Sequence, residues 1–409
     1  MARLTARDAA LRIVHRLREH GHEALWAGGC VRDMLLGREA HDYDVATNAR
    51  PGRVIELFRT TRKVGAQFGV VLVRQGRIWT EVATFRSDLS YEDGRHPTAV
   101  AFGSAEEDAR RRDFTVNGMF YDPVTEQVVD YVGGQADLRA GLIRAIGEPG
   151  ARFGEDRLRV LRAVRFAAKL GFEIEPATRK AIPEHAHTIR GVSPERIREE
   201  LISVFEDAGR ARAFALMNEL GLLPHLWEGA TWTKELIEAC TIMMEHVREP
   251  VSFELAMAVL LHDHKARSCA HVCRSLACSN LSRKKVCWLV QQSAELLHRP
   301  QPTLGELKQL MAADGFEELM EMHRALLVAR REDLAANDQL RMRAASITPE
   351  AIRPAPLVTG TDLLEMGVEP GPIYGDALDR LYKMQLEEEI RTREEALERL
   401  RGLIEEHGG

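Results

Sequence analysis

Hydrophobic residues change their spacing along this 409-residue chain near Gly154, and the change limits the folds that the chain can adopt. Before that point, short apolar stretches alternate with polar residues and Gly-rich turns, a pattern typical of strands mixed with helices. After it, apolar residues recur every three or four positions to the C-terminus, as in helices that bury one face. We therefore predict an α/β (α+β) head with a mixed sheet, followed by a long all-α region.

The first part of the sequence predicts several elements of the head. The apolar run ALWAGG indicates a strand and a Gly-Gly turn, followed by a helix that opens at Val31. Residues 70–85 alternate in polarity and predict two strands joined by a turn at Gln75-Gly76. Short strands are also expected at Tyr131-Val132 and Ile143–Ile146.

Three domains are expected from this organisation. Residues 1–150 form the head, residues 151–225 a helical neck, and residues 226–409 a helical body and tail. Within the neck, the run EDRLRVLRAVRFAAKLGF has the period of a helix. The layout predicts a catalytic head with helical extensions.

Composition restricts the cellular setting more than the function. No apolar run approaches the roughly 20 residues of a membrane span, and the N-terminus is an amphipathic helix pattern rather than a signal peptide. Six cysteines without a signal indicate a reducing compartment, so a cytoplasmic protein with no membrane partner is expected. The net charge of −6 neither indicates nor excludes a nucleic-acid partner, because a local basic face is enough to bind one.

Four of the cysteines lie close together in the sequence, at Cys269, Cys273, Cys278 and Cys287, with His271 among them. Zinc is one interpretation. The paired C-x-x-C spacing of zinc sites is missing, however, and buried small side chains on helices are the favoured interpretation.

The Gly-Gly turn is the first candidate for binding a nucleotide. Gly28 and Gly29 stand between a predicted strand and a helix, where backbone N–H groups can approach a phosphate closely. Arg32, one turn into the helix, can add a charged contact to a triphosphate, and Asp33 completes the segment G-G-x-x-R-D. A Gly-Gly turn alone would be weak evidence.

The acidic pair Asp42 and Asp44 is the second candidate, ten or so residues further on. On a strand these two residues share a face, so their carboxylates converge and repel each other unless cations lie between them. Two Mg²⁺ ions are the expected occupants, and they suit transfer of a nucleotidyl group. The alternative is a pair that merely caps a helix; the neighbouring G-G-x-x-R-D segment favours catalysis.

Glu81 is the third candidate carboxylate. It lies in the predicted strand WTEVATF among apolar neighbours that would face the opposite side. Either it completes the catalytic site or it is an exposed residue of an edge strand, and the sequence leaves both open.

These segments together resemble the class II tRNA nucleotidyltransferase and bacterial poly(A) polymerase family of the polymerase β superfamily. Three further segments carry the resemblance: ARRRDFTVNGMFYDP, ARFGEDRLRVLRAVRFA and PLVTGTDLLEMGVEPGPIYGDAL. Residues 205–350 match the family only in their helical texture. The resemblance implies a template-independent enzyme that adds CCA, or its terminal A, to tRNA 3′ ends from CTP and ATP and releases pyrophosphate.

The resemblance also implies that residues 1–150 are catalytic, that residues 151–225 recognise the nucleotide base and that residues 226–409 bind RNA. It implies roles for further residues as well. Arg111, Arg112 and Asp113 would contact the triphosphate and the ribose. Asp156 and Arg159 would read the base edge, since a carboxylate accepts a hydrogen bond from the amino group that cytosine and adenine share. Arg162 and Arg165 follow Arg159 at steps of three residues on the same helix face and would extend a basic stripe. The alternative is that these arginines form ion pairs with Glu155, Glu173 and Glu175.

Several activities share this family's scaffold. The segment Arg86–Pro97 resembles the flexible loop of the family and looks complete, which argues against an enzyme that adds only CC. KVGAQFGVVLV replaces the Arg-rich segment of proteobacterial poly(A) polymerases, which favours tRNA as the acceptor. Poly(A) addition is the alternative; a non-catalytic RNA-binding relative and a transferase acting on small molecules fit the sequence less well.

Two features of the helical region remain open. His262-Asp263 is similar to the paired His-Asp of metal phosphohydrolases, but the rest of that ligand set is not evident, and the end of a structural helix is favoured. The basic runs Arg179-Lys180 and Arg283–Lys285 are candidates for RNA contacts, although each also fits a solvated helix face.

Overall fold

A computed structural model of the protein describes residues 4–40, 42–63, 69–88, 100–368 and 371–408. The chain forms two compact units, Met1–Glu228 and Gly229–Gly409. The first unit contains the residues of the expected head and neck, and the border between those two domains stays a prediction. All strands of the described residues lie in the first unit.

The strands of the first unit are short, as expected for a small mixed sheet. They are β1 (Ala24–Ala27), β2 (Asp44–Thr47), β3 (Thr61–Lys63), β4 (Val70–Gln75), β5 (Ile78–Thr84), β6 (Arg86–Asp88), β7 (Val100–Phe102), β8 (Phe120–Asp122), β9 (Gln127–Val129), β10 (Leu142–Ile143) and β11 (Glu173–Ile174).

Seven of these strands form the sheet of the head, in the order β3-β4-β5-β2-β1-β8-β9 across the described residues. β2 and β5 are parallel, and the other neighbours in this sheet are antiparallel. The mixed sheet and the helical region that follows it confirm the predicted fold class. β6 pairs with β7, and β10 pairs with β11, outside this sheet.

The helices of the first unit cover the sheet and then continue as the neck. They are α1 (Ala6–Glu19), α2 (Gly29–Leu35), α3 (Pro51–Leu57), α4 (Ala105–Arg110), α5 (Gly134–Ala140), α6 (Pro149–Glu155), α7 (Arg159–Leu170), α8 (Pro176–His185), α9 (Pro194–Phe205), α10 (Arg210–Glu219) and α11 (Leu223–Leu226). The 3₁₀ turns Thr115–Asn117 and Ala186–Gly191 connect some of them.

One face of the sheet is covered by α1 and α3. A capping box between Thr5 and Asp8 starts α1, and its apolar stripe, which includes Ile13 and Leu17, is fully buried. The residues of β4 and β5 that point to this face, such as Val71 and Val82, are also buried. This part of the core therefore lies on the α1 side of the sheet. The opposite face has a second buried cluster at its β1–β8 end, around Leu25, Ala46 and Phe120, and also holds the acidic residues described below.

Three sequence-based expectations about the head and neck were wrong in detail. The turn between β4 and β5 consists of Gly76 and Arg77, because Gln75 still pairs with Ile78. Tyr131-Val132 forms a bend rather than a strand: Asp130 accepts hydrogen bonds from the backbone N–H groups of Val132 and Gly134, which turns the chain.

The neck also differs from the single helix expected over EDRLRVLRAVRFAAKLGF. α6 ends at Glu155, Asp156 has an extended conformation (φ −140°, ψ 103°), and α7 begins only at Arg159. The backbone N–H of Leu158 donates to the Asp156 carboxylate, a local bond that competes with helix continuation. The break places Asp156 between two helices.

The second unit is helical throughout its described residues. Its helices are α12 (Lys234–His246), α13 (Phe253–Leu260), α14 (Ala266–Ser275), α15 (Asn280–His298), α16 (Leu304–Ala312), α17 (Phe316–Arg330), α18 (Ala335–Ala345), α19 (Pro349–Ile352), α20 (Gly360–Glu365), α21 (Pro372–Leu386) and α22 (Arg393–Gly408). The last three helices form their own apolar cluster around Leu363, Leu381 and Leu400.

Candidate active site

The Gly-Gly turn follows β1 directly. Gly28 has φ 75° and ψ −132°, a conformation that side chains rarely adopt, and a Cβ built there would lie 3.3 Å from Arg112 Nη1. Gly29 is the first residue of α2. The absence of a side chain at Gly28 therefore allows the Arg112 guanidinium to lie directly over the turn.

The acidic pair stands beside this turn. Asp44 is the first residue of β2 and lies opposite Ala27, the last residue of β1. Asp42 is exposed and precedes the strand, so the expectation that both residues lie on one strand was wrong for Asp42. β2 begins at Asp44 because its pairing with β1 begins there, opposite Ala27.

Glu81 lies next to Asp44 on the neighbouring strand. Val45 pairs with Val82 in the parallel register of β2 and β5, so the preceding residues, Asp44 and Glu81, are neighbours on the same face of the sheet. Glu81 is exposed, as the sequence pattern predicted for its side of β5.

The electrostatics of Asp44 reflect this crowding. The residue keeps an exposed face, but the surrounding protein atoms desolvate it, and the negative charges of Glu81 and Asp42 lie nearby. These effects outweigh the attraction of Arg112 and raise the pKa of Asp44 from 3.8 to about 6. A cation at this position would relieve the repulsion.

Oxygen donors of this kind suit a hard divalent cation such as Mg²⁺. Among the described residues, no three Asp, Glu, His or Cys side chains are close enough to hold a metal as they stand. Asp44, Asp42 and Glu81 therefore form a loose acidic group rather than a closed metal site. An open group of carboxylates fits an ion that also takes oxygens from a triphosphate.

A cleft of about 630 Å³ opens beside this acidic group; Glu81 lines it, and Asp44 is the neighbour of Glu81 on β2. Most of the predicted nucleotide-binding residues line the cleft, together with residues that were not predicted. The complete lining is Gly28, Gly29, Arg32, Val70, Glu81, Ala83, Arg86, Arg111, Arg112, Asp113, Asn117, Asp156, Leu158, Arg159, Arg162, Phe166 and Arg196. Seven arginines against three carboxylates give this lining an excess of four positive charges. Such a surface attracts a polyphosphate.

Arg32 is buried and held by two neighbours. It donates to both carboxylate oxygens of Asp33, at 2.8 Å and 3.0 Å, and its Nη1 donates to Asn117 Oδ1 at 2.7 Å. Its guanidinium also lies over the Phe166 ring, 5.4 Å from the centroid. Asp33 thus orients Arg32, while Arg32 faces the cleft.

Arg111 and Arg112 share one buried carboxylate, that of Asp108. Arg111 Nε donates to one oxygen at 3.0 Å, and Arg112 Nη2 donates to the other at 3.0 Å. Burial alone would raise the pKa of Asp108, but the charges of Arg112 and Arg111 hold that pKa below its usual value. Asp108 therefore stays ionised and fixes both guanidinium groups at the edge of the cleft.

Asp113 is directed toward Arg162. Its carboxylate accepts hydrogen bonds from Arg162 Nε at 2.9 Å and from the Phe114 N–H at 2.7 Å, and Asn117 also donates to it. Burial would raise the pKa of Asp113, but the positive charge of Arg162 and the hydrogen bonds from these donors outweigh burial and lower that pKa. Asp113 links the head to α7 within the first unit.

Asp156 and Arg159 are held from different sides. Arg196 on α9 donates to both oxygens of Asp156, at 3.1 Å and 3.0 Å. Arg159 is buried; it donates to Glu155 at 2.8 Å and to the carbonyl oxygen of Arg111 at 3.0 Å. The break after α6 therefore presents Asp156 to the cleft between α7 and α9.

Arg165 lies on the same helix face but outside the cleft lining. Its Nε donates to Glu200 at 2.5 Å, and its guanidinium stacks on Phe166, 4.4 Å from the ring centroid. Burial raises the pKa of Glu200 in spite of the charges of Arg165 and Arg162. Of the ion pairs that were the alternative for this stripe, only the one between Arg159 and Glu155 forms; Glu173 and Glu175 pair with Arg212 and Arg144.

Sequence reasoning missed four polar residues of this site. Asp108 and Asn117 flank the recognised Arg-Arg-Asp segment and have no pattern of their own. Arg196 and Glu200 lie on α9, far along the sequence from their partners Asp156 and Arg165. Only the fold brings them to the cleft.

Comparison with known proteins identifies the class to which this fold and cleft belong. Residues 24–144 match the profile of the poly(A) polymerase head domain, residues 171–231 that of an RNA-binding region of polymerase A, and residues 250–400 that of tRNA nucleotidyltransferase domain 2. The protein is therefore a nucleotidyltransferase.

The relatives narrow this class. The CCA-adding enzyme of Geobacillus stearothermophilus is 34% identical over 393 residues, which cover 95% of each chain. Poly(A) polymerase I of Escherichia coli O157:H7 is 41% identical over 255 residues, 60% of this chain and 54% of that enzyme. A crystal structure of the Bacillus stearothermophilus CCA-adding enzyme in complex with CTP covers 98% of this chain, with a TM-score of 0.79 and 29% identity.

This chain belongs to the family of CCA-adding enzymes, to which bacterial poly(A) polymerases are related. The predictions of the family and of a nucleotidyltransferase are confirmed by these matches. The similarity also covers residues 205–350, where the sequence alone showed only helical texture.

Some predicted features lie outside this site or outside the described residues. Most of the loop Arg86–Pro97 lies outside the described residues. Its first three residues form β6, which pairs with β7. His262 follows α13, where its Nδ1 contacts the carbonyl oxygen of Val259 at 2.8 Å. In the part of the chain that the structure covers, every helix is too short or too polar to span a bilayer.

Proposed function

We propose that this protein adds CCA, or its terminal A, to the 3′ ends of tRNA, using CTP and ATP and no template. The observation that carries the proposal is the arrangement of one cleft. It has carboxylates and a glycine turn on the sheet side, and Asp156 with Arg159 on the helical side. Such a cleft can hold a triphosphate at one end and a base at the other. The crystallised relative with bound CTP supports a nucleotide as its ligand.

Asp42 and Asp44 would hold two Mg²⁺ ions, with Glu81 beside them. When bound, such ions stabilise an attacking oxygen and a leaving pyrophosphate in an in-line displacement. The chain itself contributes orientation and charge. Arg112 lies over Gly28 and would contact the triphosphate, and the excess of arginines in the cleft balances its negative charge.

The base would be selected at Asp156. Its carboxylate, fixed by Arg196, accepts a hydrogen bond from the amino group of cytosine or adenine, whereas uracil and guanine present a carbonyl oxygen in that position. Arg159 would donate to a ring nitrogen or carbonyl. A mismatched base would leave a polar group unpaired, which costs about 1–3 kcal/mol.

Sequencing of product ends tests this function directly. Purified protein would be incubated with CTP and ATP and with tRNA lacking CCA, CA or A in turn. We expect all three substrates to end in CCA. Extension of only the substrate that lacks A would restrict the activity to A addition, and failure to extend any of the three would contradict the proposal.

Poly(A) addition is the second candidate, because the E. coli poly(A) polymerase is 41% identical over 255 residues of this chain. An oligo(A) primer with ATP distinguishes the two activities. Long tails on the primer, together with no defined addition to tRNA, would favour poly(A) polymerase.

The state of the cysteines supports a cellular location for the reaction. All six cysteines are free thiols in the structure, which suits a reducing compartment. We therefore place the reaction in the cytoplasm.

A further inference from the structure

A basic and aromatic surface lies on the same face of the head sheet as the acidic group. From Leu57 to Thr80 the sequence has five basic residues and no acidic one, in a chain of net charge −6. The basic residues are Arg59, Arg62, Lys63, Arg74 and Arg77. Such a local excess is the electrostatic footprint of a polyanion partner.

Strand register shows which of these residues share a face. Arg62 on β3 pairs with Leu72 on β4, and Leu72 pairs with Glu81 on β5. Arg74 pairs with Trp79, two residues before Glu81. Because directly paired residues and alternate residues point the same way, this group faces the same side as Glu81.

As far as the described residues show, the face is open at this end of the sheet. α1 and α3 cover the opposite face, where Val71 and Val73 are buried. On the open face, Leu72 and Trp79 are only half-buried, and Arg62 and Arg74 are exposed. The catalytic cleft reaches this region, since Val70 at the start of β4 lines it together with Glu81.

Trp79 holds the two arginines in place. The Arg62 guanidinium lies 4.5 Å from the centre of the Trp79 ring, and the Arg74 guanidinium lies 5.9 Å from it. Arg74 Nε also donates to the carbonyl oxygen of Gly76 at 2.8 Å. Guanidinium groups fixed on a ring present flat cationic surfaces to phosphates and bases and lose less entropy when they bind.

The reaction geometry shows which substrate enters here. In an in-line displacement, the attacking oxygen and the leaving pyrophosphate lie on opposite sides of the phosphorus atom. Gly28 and Arg112, which would hold the triphosphate, lie on the β1 side of Asp44. The surface around Trp79 lies on the other side, on β5, β4 and β3. The nucleic acid that carries the attacking 3′-oxygen must therefore approach over β5 and β4.

We infer that Arg62, Arg74 and Trp79 bind the single-stranded 3′ end of the acceptor RNA and guide it to the acidic group. Trp79 lies two residues from Glu81, about 7 Å along the strand, so the contacted phosphates belong to the last few nucleotides. The inference rests on the proposed function, because it takes RNA as the molecule that is extended.

The test compares the full-length wild type with the double variant Arg62→Gln/Arg74→Gln. Its matched control is Arg16→Gln/Arg53→Gln, which removes two exposed arginines from α1 and α3 on the covered side of the sheet. The probes are tRNA lacking CCA, and CTP. The measurements are kcat, the KM of each substrate, and the dependence of tRNA binding on salt.

We expect the double variant to raise the KM for tRNA about tenfold, the loss that follows from removing charged hydrogen bonds. Its kcat and its KM for CTP should match the wild type. The slope of log Kd against log salt should fall by about 1.4 for two phosphate contacts to a single strand. The control should behave as wild type in every measurement.

A variant with wild-type KM for tRNA and an unchanged salt slope overturns the inference, and so does a variant in which only the KM for CTP rises. A purely structural role for these arginines would leave the salt slope unchanged. Binding does not require turnover, so the salt slope decides the role of this surface even if the wild type extends no tRNA; that second result would contradict the proposed function instead.

Discussion

Replacement of Asp44 by Asn removes a negative charge at the point where the acidic group is most crowded. Asn has nearly the same shape, so the sheet and the pairing with Ala27 should persist. The substitution removes a charge that Glu81 and Asp42 repel and that partial desolvation disfavours. We therefore expect Asp44→Asn to stabilise the metal-free protein while it abolishes nucleotide addition.

The size and the pH dependence of this effect follow from the pKa of Asp44. Because the pKa rises from 3.8 to about 6, the folded state keeps a proton that the unfolded chain has already lost, and stability falls as the pH rises through this range. The difference corresponds to at most about 3 kcal/mol. Since Asp44 keeps an exposed face, solvent screening reduces the expected gain to about 1 kcal/mol.

Thermal unfolding in the presence of EDTA measures this gain. At pH 8 the variant should unfold about 2–4 °C above the wild type, as expected for a unit of this size. At pH 5 the free-energy gain should be smaller than at pH 8, because a larger fraction of the folded wild type is then protonated at Asp44. Glu56→Gln, which removes an exposed carboxylate on α3, should change stability by less than about 0.5 kcal/mol at either pH.

A variant that is less stable than the wild type at pH 8 would refute this reasoning, as would a gain that is equal at both pH values. The first result would mean that Asp44 is stabilised where it lies; the second would mean that the gain does not come from the ionised form of Asp44. Nucleotide addition by Asp44→Asn near the wild-type rate would separately refute its catalytic role.

Three further substitutions test the remainder of the site. Asp113→Asn should destabilise the first unit by about 3 kcal/mol in denaturant unfolding, because it leaves Arg162 without its buried partner; a loss below 1 kcal/mol would contradict that assignment. Arg196→Gln frees Asp156 and should reduce discrimination between CTP and UTP about tenfold in competition assays, with stability nearly unchanged; unaltered selectivity would show that Asp156 needs no support. Gly28→Ala forces a side chain into a strained conformation and should cost about 1–3 kcal/mol while raising the KM for CTP; a wild-type KM would remove the turn from the binding site.

Local patterns were sufficient to predict the elements that position the reaction. Alternating polarity identified β4 and β5, and the turn after ALWAGG was placed next to the acidic pair. The side of β5 on which Glu81 lies also followed from its apolar neighbours. These features depend on residues close in sequence, where the spacing of apolar residues determines whether a strand or a helix forms.

Long-range partners could not be predicted in the same way. Nothing in the sequence near Asp156 indicates that Arg196, forty residues later, would hold its carboxylate. The break between α6 and α7 was missed because the helical period continues through it, while the side chain of Asp156 bonds to its own backbone. The contact of Asp113 with the ribose stays a prediction, but nothing in the sequence indicated that Arg162 donates to its carboxylate.

Titration of Mn²⁺ in the presence of CTP, followed by electron paramagnetic resonance, tests the central claim most directly. We predict that the wild type binds about two ions with the nucleotide, as in two-metal sites, and that Asp42→Ala and Asp44→Ala each lose this binding while their fold is retained. Wild-type Mn²⁺ binding in both variants would show that the metal lies elsewhere and would contradict the assignment of the reaction to this acidic group.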